Sequence, residues 1–307
     1  MGPSRPTRTK NQVLDRWQFF PVWIHGNLLN MSLIHDLQYA VEVARGAGKI
    51  AFDYFGKVER QTKTHSATTD EAVTEADRAT QRFVVAELRR KFPFDGIIGE
   101  ENDLGTSITN EQATAGSRTW VIDPIDGTNN FIAGFPNWAV CIGLLEAGMP
   151  VLGVVYDVCR DLLYCSAKGE GCWVGKKKLT ALTTPLNDAS ILMMTSNCID
   201  KNGNCPGYGV RWLSQTNWKL RMIGSAALEA VQVAAGIAHG AVTVNGKLWD
   251  IAAPAALILE SGGVITDLRG DAIFPFNLQN YTGAKVPFVA GGPISQPQIV
   301  REIVENP

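Results

Sequence analysis

No apolar run in the 307 residues approaches the roughly 20 needed to span a bilayer, so a soluble, cytoplasmic protein without a membrane partner is expected. The six cysteines (Cys141, Cys159, Cys165, Cys172, Cys198 and Cys205) form no CxxC pair and have no histidine among them. The four histidines, His25, His35, His65 and His239, are scattered. Those spacings exclude the usual zinc sites. With no signal peptide to read, the thiols are expected to be free, serving as small buried hydrophobes in a reducing compartment. The formal charge of −2 leaves no basic face for nucleic acid. An acidic substrate such as a phosphate therefore needs local positive charge, most simply bound metal. Repeats, linkers and low-complexity tracts are absent too, and the length suits one large domain or two packed halves.

What is present centres on Trp120–Phe131, WVIDPIDGTNNF. Trp120-Val121-Ile122 is a short apolar run of the kind that forms a buried strand. It stops at Asp123, where Pro124 fixes one φ and Gly127 relaxes the next turn. Asp123 and Asp126 thus lie where a strand ends and the chain bends, with the Thr128 hydroxyl two residues on. Carboxylates gathered at the end of a buried strand repel one another unless a cation sits between them. Hard oxygen ligands of this kind suit Mg²⁺.

Around this stretch the chain alternates helices and strands. Residues 1–30 carry Arg5, Arg8, Lys10 and Arg16 against Asp15 and lack helical periodicity, so they read as a disordered extension, with organellar targeting an open alternative. Residues 31–307 read as one unit, 31–185 carrying the acidic loop and 186–307 facing a substrate. Leu33, Leu37, Val41, Ala44 and Ala47 predict a helix up to Tyr54; a second opens at Thr74; Gly96–Gly99 is a strand ending in Glu100-Glu101. Trp138–Leu145, Val151–Tyr156, Leu162–Cys165 and Gly171–Val174 predict an antiparallel meander. Strands at 191–195 and 219–223, a helix at 225–239, a strand at 241–244, a helix at 251–261, strands at 264–266 and 286–290 and a last helix at 296–305 complete the reading. Two sheets interleaved with helix layers is the simplest architecture for that order.

Acidic residues recur at the ends of these elements: Glu100, Asp123, Asp126, Asp250 and Asp77. Each has a plain structural role available. Asp77 lies three residues after Thr74 and fits a capping box. Asp250 fits a helix N-cap. Glu100 suits a solvated loop, and Asp123 and Asp126 suit a turn. Their recurrence together favours a site, because ligand sites in layered α/β proteins gather at such ends.

Glu100 in GEEN, DPIDGT at 123–128 followed by Asn130-Phe131, and WDIAA at 249–253 resemble the signature elements of the inositol monophosphatase family, and the likeness runs from about residue 33 to 305 in the same element order. The resemblance implies an αβαβα five-layer sandwich of the inositol monophosphatase and fructose-bisphosphatase type, and Mg²⁺-dependent hydrolysis of a phosphate monoester, usually by a homodimer and with lithium sensitivity. Carried over by position, it implies that Glu100, Asp123 and the carbonyl of Ile125 hold a first Mg²⁺. Asp123, Asp126 and Asp250 would hold a second, and a third would lie near Glu100. Thr128 and Asp77 match the pair that helps activate the attacking water. The amides of Gly127 and Thr128 would face the phosphate, and Gly224, Ser225 and Ala226 match the segment contacting the organic part of the substrate. A haloacid-dehalogenase-like phosphatase spaces its two aspartates as DxD; the DxxD here, with Pro and Gly, does not fit it.

The match loosens at Thr243. Members acting on myo-inositol carry a glutamate there, seven residues before the WD aspartate. A neutral hydroxyl leaves the metals untouched and puts inositol selectivity in question. Thr243, Asn245, Arg221 and the 196–215 loop, with Asn197, Asp200, Lys201 and Arg211, are the expected walls of the leaving-group pocket. Inositol-1-phosphate ranks first as substrate, then histidinol phosphate, then fructose-1,6-bisphosphate or a range of sugar phosphates. The reading of another class is a regulatory partner protein that retains the fold.

Overall fold

The computed structural model describes residues 31–57, 61–62, 72–73, 75–101, 109–111, 117–195, 205–279 and 281–307. In chain order these form α1 (Met31–Tyr54), β1 (Gln61–Thr62), β2 (Ala72–Val73), α2 (Glu75–Lys91), β3 (Gly96–Gly99), β4 (Thr109–Glu111), β5 (Arg118–Asp126), α3 (Thr128–Ile132), β6 (Ala139–Glu146), β7 (Met149–Asp157), β8 (Leu162–Ala167), β9 (Gly171–Val174) and β10 (Lys177–Leu179). There follow β11 (Ile191–Met194), α4 (Gly207–Ser214), β12 (Lys219–Arg221), α5 (Ala226–Ala234), β13 (Gly240–Thr243), α6 (Leu248–Glu260), β14 (Val264–Thr266), β15 (Phe288–Gly291) and α7 (Ser295–Glu305).

The meander expected after the acidic loop is one arm of an eight-stranded sheet ordered β10-β9-β8-β7-β6-β5-β3-β4. Its strands are antiparallel except for β3 beside β5, which run parallel. A five-stranded sheet, β12-β11-β13-β15-β14, carries the second half. Side chains alternate across the pleat. Trp120, Ile122, Val140, Ile142 and Leu144 face Leu37, Val41 and Ala44 of α1 and Val84 and Leu88 of α2. Val121, Cys141 and Val155 face the opposite way, into a core shared with α5, α6 and Met193, Ala241 and Ala290 of the smaller sheet. The far side of that sheet presents Leu192, Met194, Val242 and Val289 to Tyr208 and Trp212 of α4 and Ile299 and Ile303 of α7. The order of layers is therefore α1/α2, large sheet, α5/α6, small sheet, α4/α7, the five-layer αβαβα sandwich.

The central layer sits close to the large sheet. A Cβ on Gly143 would come within 2.8 Å of the Ala253 nitrogen, and one on Gly153 within 2.3 Å of the Ala253 carbonyl oxygen. With Ala252, Ala253 and Ala256 on the facing side, α6 lies almost on the strand backbones, which brings its first turn, and Asp250, to the end of β5.

Several bounds differ from the expectation. The helix expected to run to His239 ends at Ala234, because Gly236 takes φ +67 and donates its N–H to the Val233 carbonyl, a left-handed helix stop. The strand expected over 219–223 stops at Arg221, where the chain turns toward the site. Within 196–215, read as a loop, residues 207–214 form α4, built by burying Tyr208 and Trp212 rather than by strong helix formers. The five cysteines among the described residues are free, three of them buried; Cys198, and residues 1–30, lie outside those residues. No helix among the described residues is long and apolar enough to cross a membrane.

Candidate active site

Two carboxylates three residues apart on a regular strand would point to opposite faces. At the end of β5 they do not, because the register against β6 shifts between Asp123 and Asp126. This is a bulge, and Pro124, which has no N–H to give to a ladder, sits inside it. The Ile125 N–H turns back to Asp123 Oδ1 at 3.0 Å. Both carboxylates thereby reach the same side, and α6 adds Asp250. Oxygens of Asp123, Asp126 and Asp250 all lie within 4.8 Å of one another.

Asp250 is not the N-cap of α6. Lys247 holds that position and Asp250 is in the first turn, its Oδ2 accepting the Lys247 N–H at 2.6 Å. The Asp123 and Asp250 carboxylates also face each other, with oxygens within 4.8 Å. Burial first, and then the neighbouring acids Glu100, Asp126 and Asp250, push the Asp123 carboxyl well above the usual range. Burial followed by Asp126 and Glu100 pushes Asp250 up to about 7. Asp126 is pushed up by burial to about 6 even though three donors oppose the shift. Those donors are the Ser225 hydroxyl, in a short contact to Oδ2, and the N–H groups of Ala226 and Ala227 at 3.1 Å each. Ser225 is also the N-cap of α5, accepting the Leu228 N–H at 3.2 Å. The positive end of α5 thus meets Asp126 directly. Among the described residues, no lysine ammonium or arginine guanidinium is hydrogen-bonded or ion-paired to the three aspartates. Three crowded carboxylates, two of them buried, with only oxygen donors fit a hard divalent cation.

Glu100 follows β3, half-buried, with its N–H on the Ile122 carbonyl at 3.2 Å. It lies outside the tight triad, yet its charge is felt by all three aspartates. Gln81 of α2 pins the end of β3 through the backbone of buried Glu101, accepting its N–H at 2.9 Å and donating to its carbonyl in a short contact. Gly127 takes φ +92 and starts α3. Thr128 Oγ1 then lies 3.1 Å from the Ile125 carbonyl and 3.4 Å from Oδ1 of Asp77, which is fully buried in the first turn of α2. Thr74, the other half of the capping box considered for Asp77, lies outside the described residues.

The remaining expected positions are less concentrated. Ser225 and Ala226 direct their polar groups to Asp126, while Gly224 stands immediately before them. Thr243 closes β13 with a fully buried side chain whose hydroxyl has no partner among the described residues. Asn245 is half-buried beyond it, and Arg221 is exposed, its guanidinium on the Leu220 carbonyl. Arg211 is committed to an ion pair with Glu302 of α7 at 2.8 Å. Asn197, Asp200 and Lys201 lie outside the described residues. Sequence reasoning missed the Ala227 N–H and the roles of Gln81 and Glu229. The one available signal was an acid, Glu229, inside the apolar helix AALEAVQVA.

Fold and site together define a layered phosphatase with an acidic, metal-ready centre. Residues 34–306 match the inositol monophosphatase family, and the chain belongs to that family of phosphatases. It is 32% identical over 245 residues to the inositol-1-monophosphatase of Bacillus subtilis, covering 80% of this chain and 88% of that protein. It is 35% identical over 237 residues to a histidinol-phosphatase of Chlorobaculum parvum, covering 76% and 86%. The solved structure of an IMPase from Thermotoga maritima superposes with a TM-score of 0.74 at 28% identity, over 88% of this chain and 97% of that one.

Proposed function

We propose that the protein hydrolyses a small phosphate monoester with water, using Mg²⁺ held by Asp123, Asp126 and Asp250 with Glu100 and the Ile125 carbonyl beside them. The observation that carries this is the cluster of three aspartates, Asp123 and Asp126 buried and Asp250 half-buried, that no ammonium or guanidinium among the described residues neutralises. When bound, two or three Mg²⁺ would supply the positive charge a phosphate dianion needs, lower the pKa of a water and stabilise the departing alkoxide. The chain's own residues do the rest. Thr128 Oγ1, 3.1 Å from the Ile125 carbonyl and 3.4 Å from Asp77 Oδ1, would take a proton from the attacking water as its own hydroxyl proton passes to the Asp77 carboxylate. Asp77 is the carboxylate that makes the otherwise feebly basic hydroxyl useful. Asp126, gripped by Ser225, Ala226 and Ala227, ties the acidic loop to the segment that would contact the organic group, and Gly127 and Thr128 would offer backbone N–H groups to the phosphate.

Inositol-1-phosphate is the first substrate. The supporting observation for a second, histidinol phosphate, is the neutral Thr243 where inositol-specific members carry a carboxylate, together with the similarity to a histidinol-phosphatase. Fructose-1,6-bisphosphate or other sugar phosphates stand third, and a regulatory role retaining the fold is the reading of another class. A homodimer, lithium inhibition and a cytoplasmic location complete the proposal. Phosphate release from the three substrates, compared by kcat/KM with Mg²⁺ and with chelator, is the test. Release from at least one, abolished by chelator, supports the reading; release from none sinks it.

A further inference from the structure

The peptide Ile223–Gly224 links β12 to the N-terminus of α5. Buried backbone groups need partners, and in a turn these are ordinarily water or other backbone. Here two side chains from different layers take all four. Glu229 Oε1 accepts the N–H of Ile223 at 2.8 Å and of Gly224 at 3.1 Å. Asn130 Nδ2 donates to the Ile223 carbonyl at 2.7 Å and the Gly224 carbonyl at 3.1 Å, and also to the Asn137 carbonyl at 2.7 Å. Two hydrogens serve three acceptors, so one is shared.

The arrangement is tightly built. Gly224 takes φ +75, and a Cβ there would lie 2.9 Å from Asn130 Nδ2. Glu229 is 1% exposed on a largely apolar helix, and its Oε2 has no partner among the described residues. A buried carboxyl in such a place is costly unless something needs its acceptor. Burial pushes it up to about 8 despite the two N–H donors, and Oε1 serves as an acceptor for both. Asn130 belongs to α3, on the acidic loop of the large sheet. Ile223–Gly224 belongs to the small-sheet half. The next three residues hand Asp126 a hydroxyl and two N–H groups.

We propose that Asn130 and Glu229 are paired positioning residues that clamp the Ile223–Gly224 peptide from both sides and so fix the orientation of the Asp126 carboxylate. The clamp rests on the reading of Asp126 as a Mg²⁺ ligand. It also makes a polarity rule. Position 229 needs an acceptor and tolerates an amide; position 130 needs a donor and does not tolerate a carboxylate, which would face three carbonyl oxygens.

The test uses the full chain with four substitutions, Glu229→Gln, Glu229→Ala, Asn130→Asp and Asn130→Ala. Three measurements are made: Mg²⁺ binding by calorimetry, amide hydrogen exchange over 222–228 in metal-free protein, and melting temperature. Glu229→Gln should bind Mg²⁺ close to wild type. The other three should bind about 10–100-fold more weakly and exchange faster over 222–228, while the rest of the exchange map is kept. The double alanine variant should be no worse than the worse single one, since both act through one peptide. Unchanged exchange over 222–228 in both alanine variants, or Mg²⁺ affinities that simply follow melting temperature, overturns the clamp. Where Glu229→Ala does not fold, equal affinities of Asn130→Asp and Glu229→Gln overturn it instead. Phosphate release is measured separately. If wild type binds Mg²⁺ but hydrolyses nothing, the hydrolysis reading fails while binding and exchange still decide the clamp.

Discussion

Strand β5 has acids at both ends, and they are handled in opposite ways. At its start, Arg118 lies between Asp36, 2.7 Å from Nη2, and Asp95, 3.1 Å from Nε, with all three side chains mostly buried. The Trp120 indole adds a third bond to Asp95, at 2.9 Å, and the guanidinium lies over the Phe92 ring. Burial would lower the Arg118 pKa, but the two carboxylates outweigh it and raise it. At the other end, Asp123, Asp126 and Asp250 meet no guanidinium or ammonium among the described residues, and all three are pushed up. One end is an internally neutralised staple. The other gathers like charges, and under the proposed function a cation from solution completes it. A fold that can bury an arginine at one end of a strand and does not at the other is keeping that charge open for function.

The largest effect expected from breaking this contrast is at Asp123. Asp123→Asn removes the carboxylate shared by both proposed metal positions, and kcat/KM for phosphate release should fall by at least about 10²–10³-fold. The same change relieves crowding of buried like charges, so the metal-free protein should melt higher than wild type. Steady-state kinetics and calorimetry on one preparation check both; an active Asp123→Asn enzyme would contradict the bridging role. At the opposite end, Arg118→Met leaves Asp36 and Asp95 mostly buried and unpaired. That should cost about 3 kcal/mol of stability, the bottom of the range for a broken buried pair because some water reaches it. Urea unfolding measures it, and the Mg²⁺ dependence of activity should stay as in wild type.

A pH series sharpens the comparison without mutation. Asp126 at about 6, Asp250 at about 7 and Glu229 at about 8 all lie above their unfolded values. The folded state therefore binds more protons than the unfolded one across this window, and the slope of stability with pH is negative. Metal-free protein should be favoured at about pH 4 and lose several kcal/mol by about pH 8, since each pKa unit is worth about 1.4 kcal/mol. Mg²⁺ competes with those protons, so its stabilising shift in melting temperature should grow over the same window. A metal-free protein whose stability rises with pH there would show that the triad is not where the protons are held.

Much of this was written locally. Pro124 and Gly127 announce a bulge and a turn, and a turn with two aspartates beside a buried run is a readable metal motif. The helices and the meander follow from apolar periodicity. What escaped local reading depends on distant partners. Arg211 is free in sequence and taken by Glu302 in space. Ser225 and Ala226 were expected at the substrate, and their polar groups serve Asp126, about a hundred positions away. The α4 helix forms because Tyr208 and Trp212 are buried against α7, a tertiary reward that overrides two glycines of low helix propensity. Thr243 is a hydroxyl at a strand end, and nothing in its neighbours announces that the side chain is enclosed.

The smallest predicted effect is the most direct form of the contrast, because it repeats one chemical edit at both ends of the strand. Asp95→Asn keeps an oxygen for the Trp120 indole or the guanidinium and removes one negative charge. Asp36 still holds Arg118 at 2.7 Å, so the guanidinium is not abandoned. The loss should be about 1.5 kcal/mol, the low end for a hydrogen bond to a charged group, with kcat/KM unchanged. Asp123→Asn is the same replacement of oxygen by amide at the other end of β5, and its metal-free stability should move the other way. The difference lies in what each carboxylate faces: at Asp95 a cation the fold already owns, at Asp123 two more carboxylates. Two melting curves in chelator decide it. If both substitutions shift stability in the same direction, the acids at the end of β5 are structural ones, and the case for an open cation site there is lost.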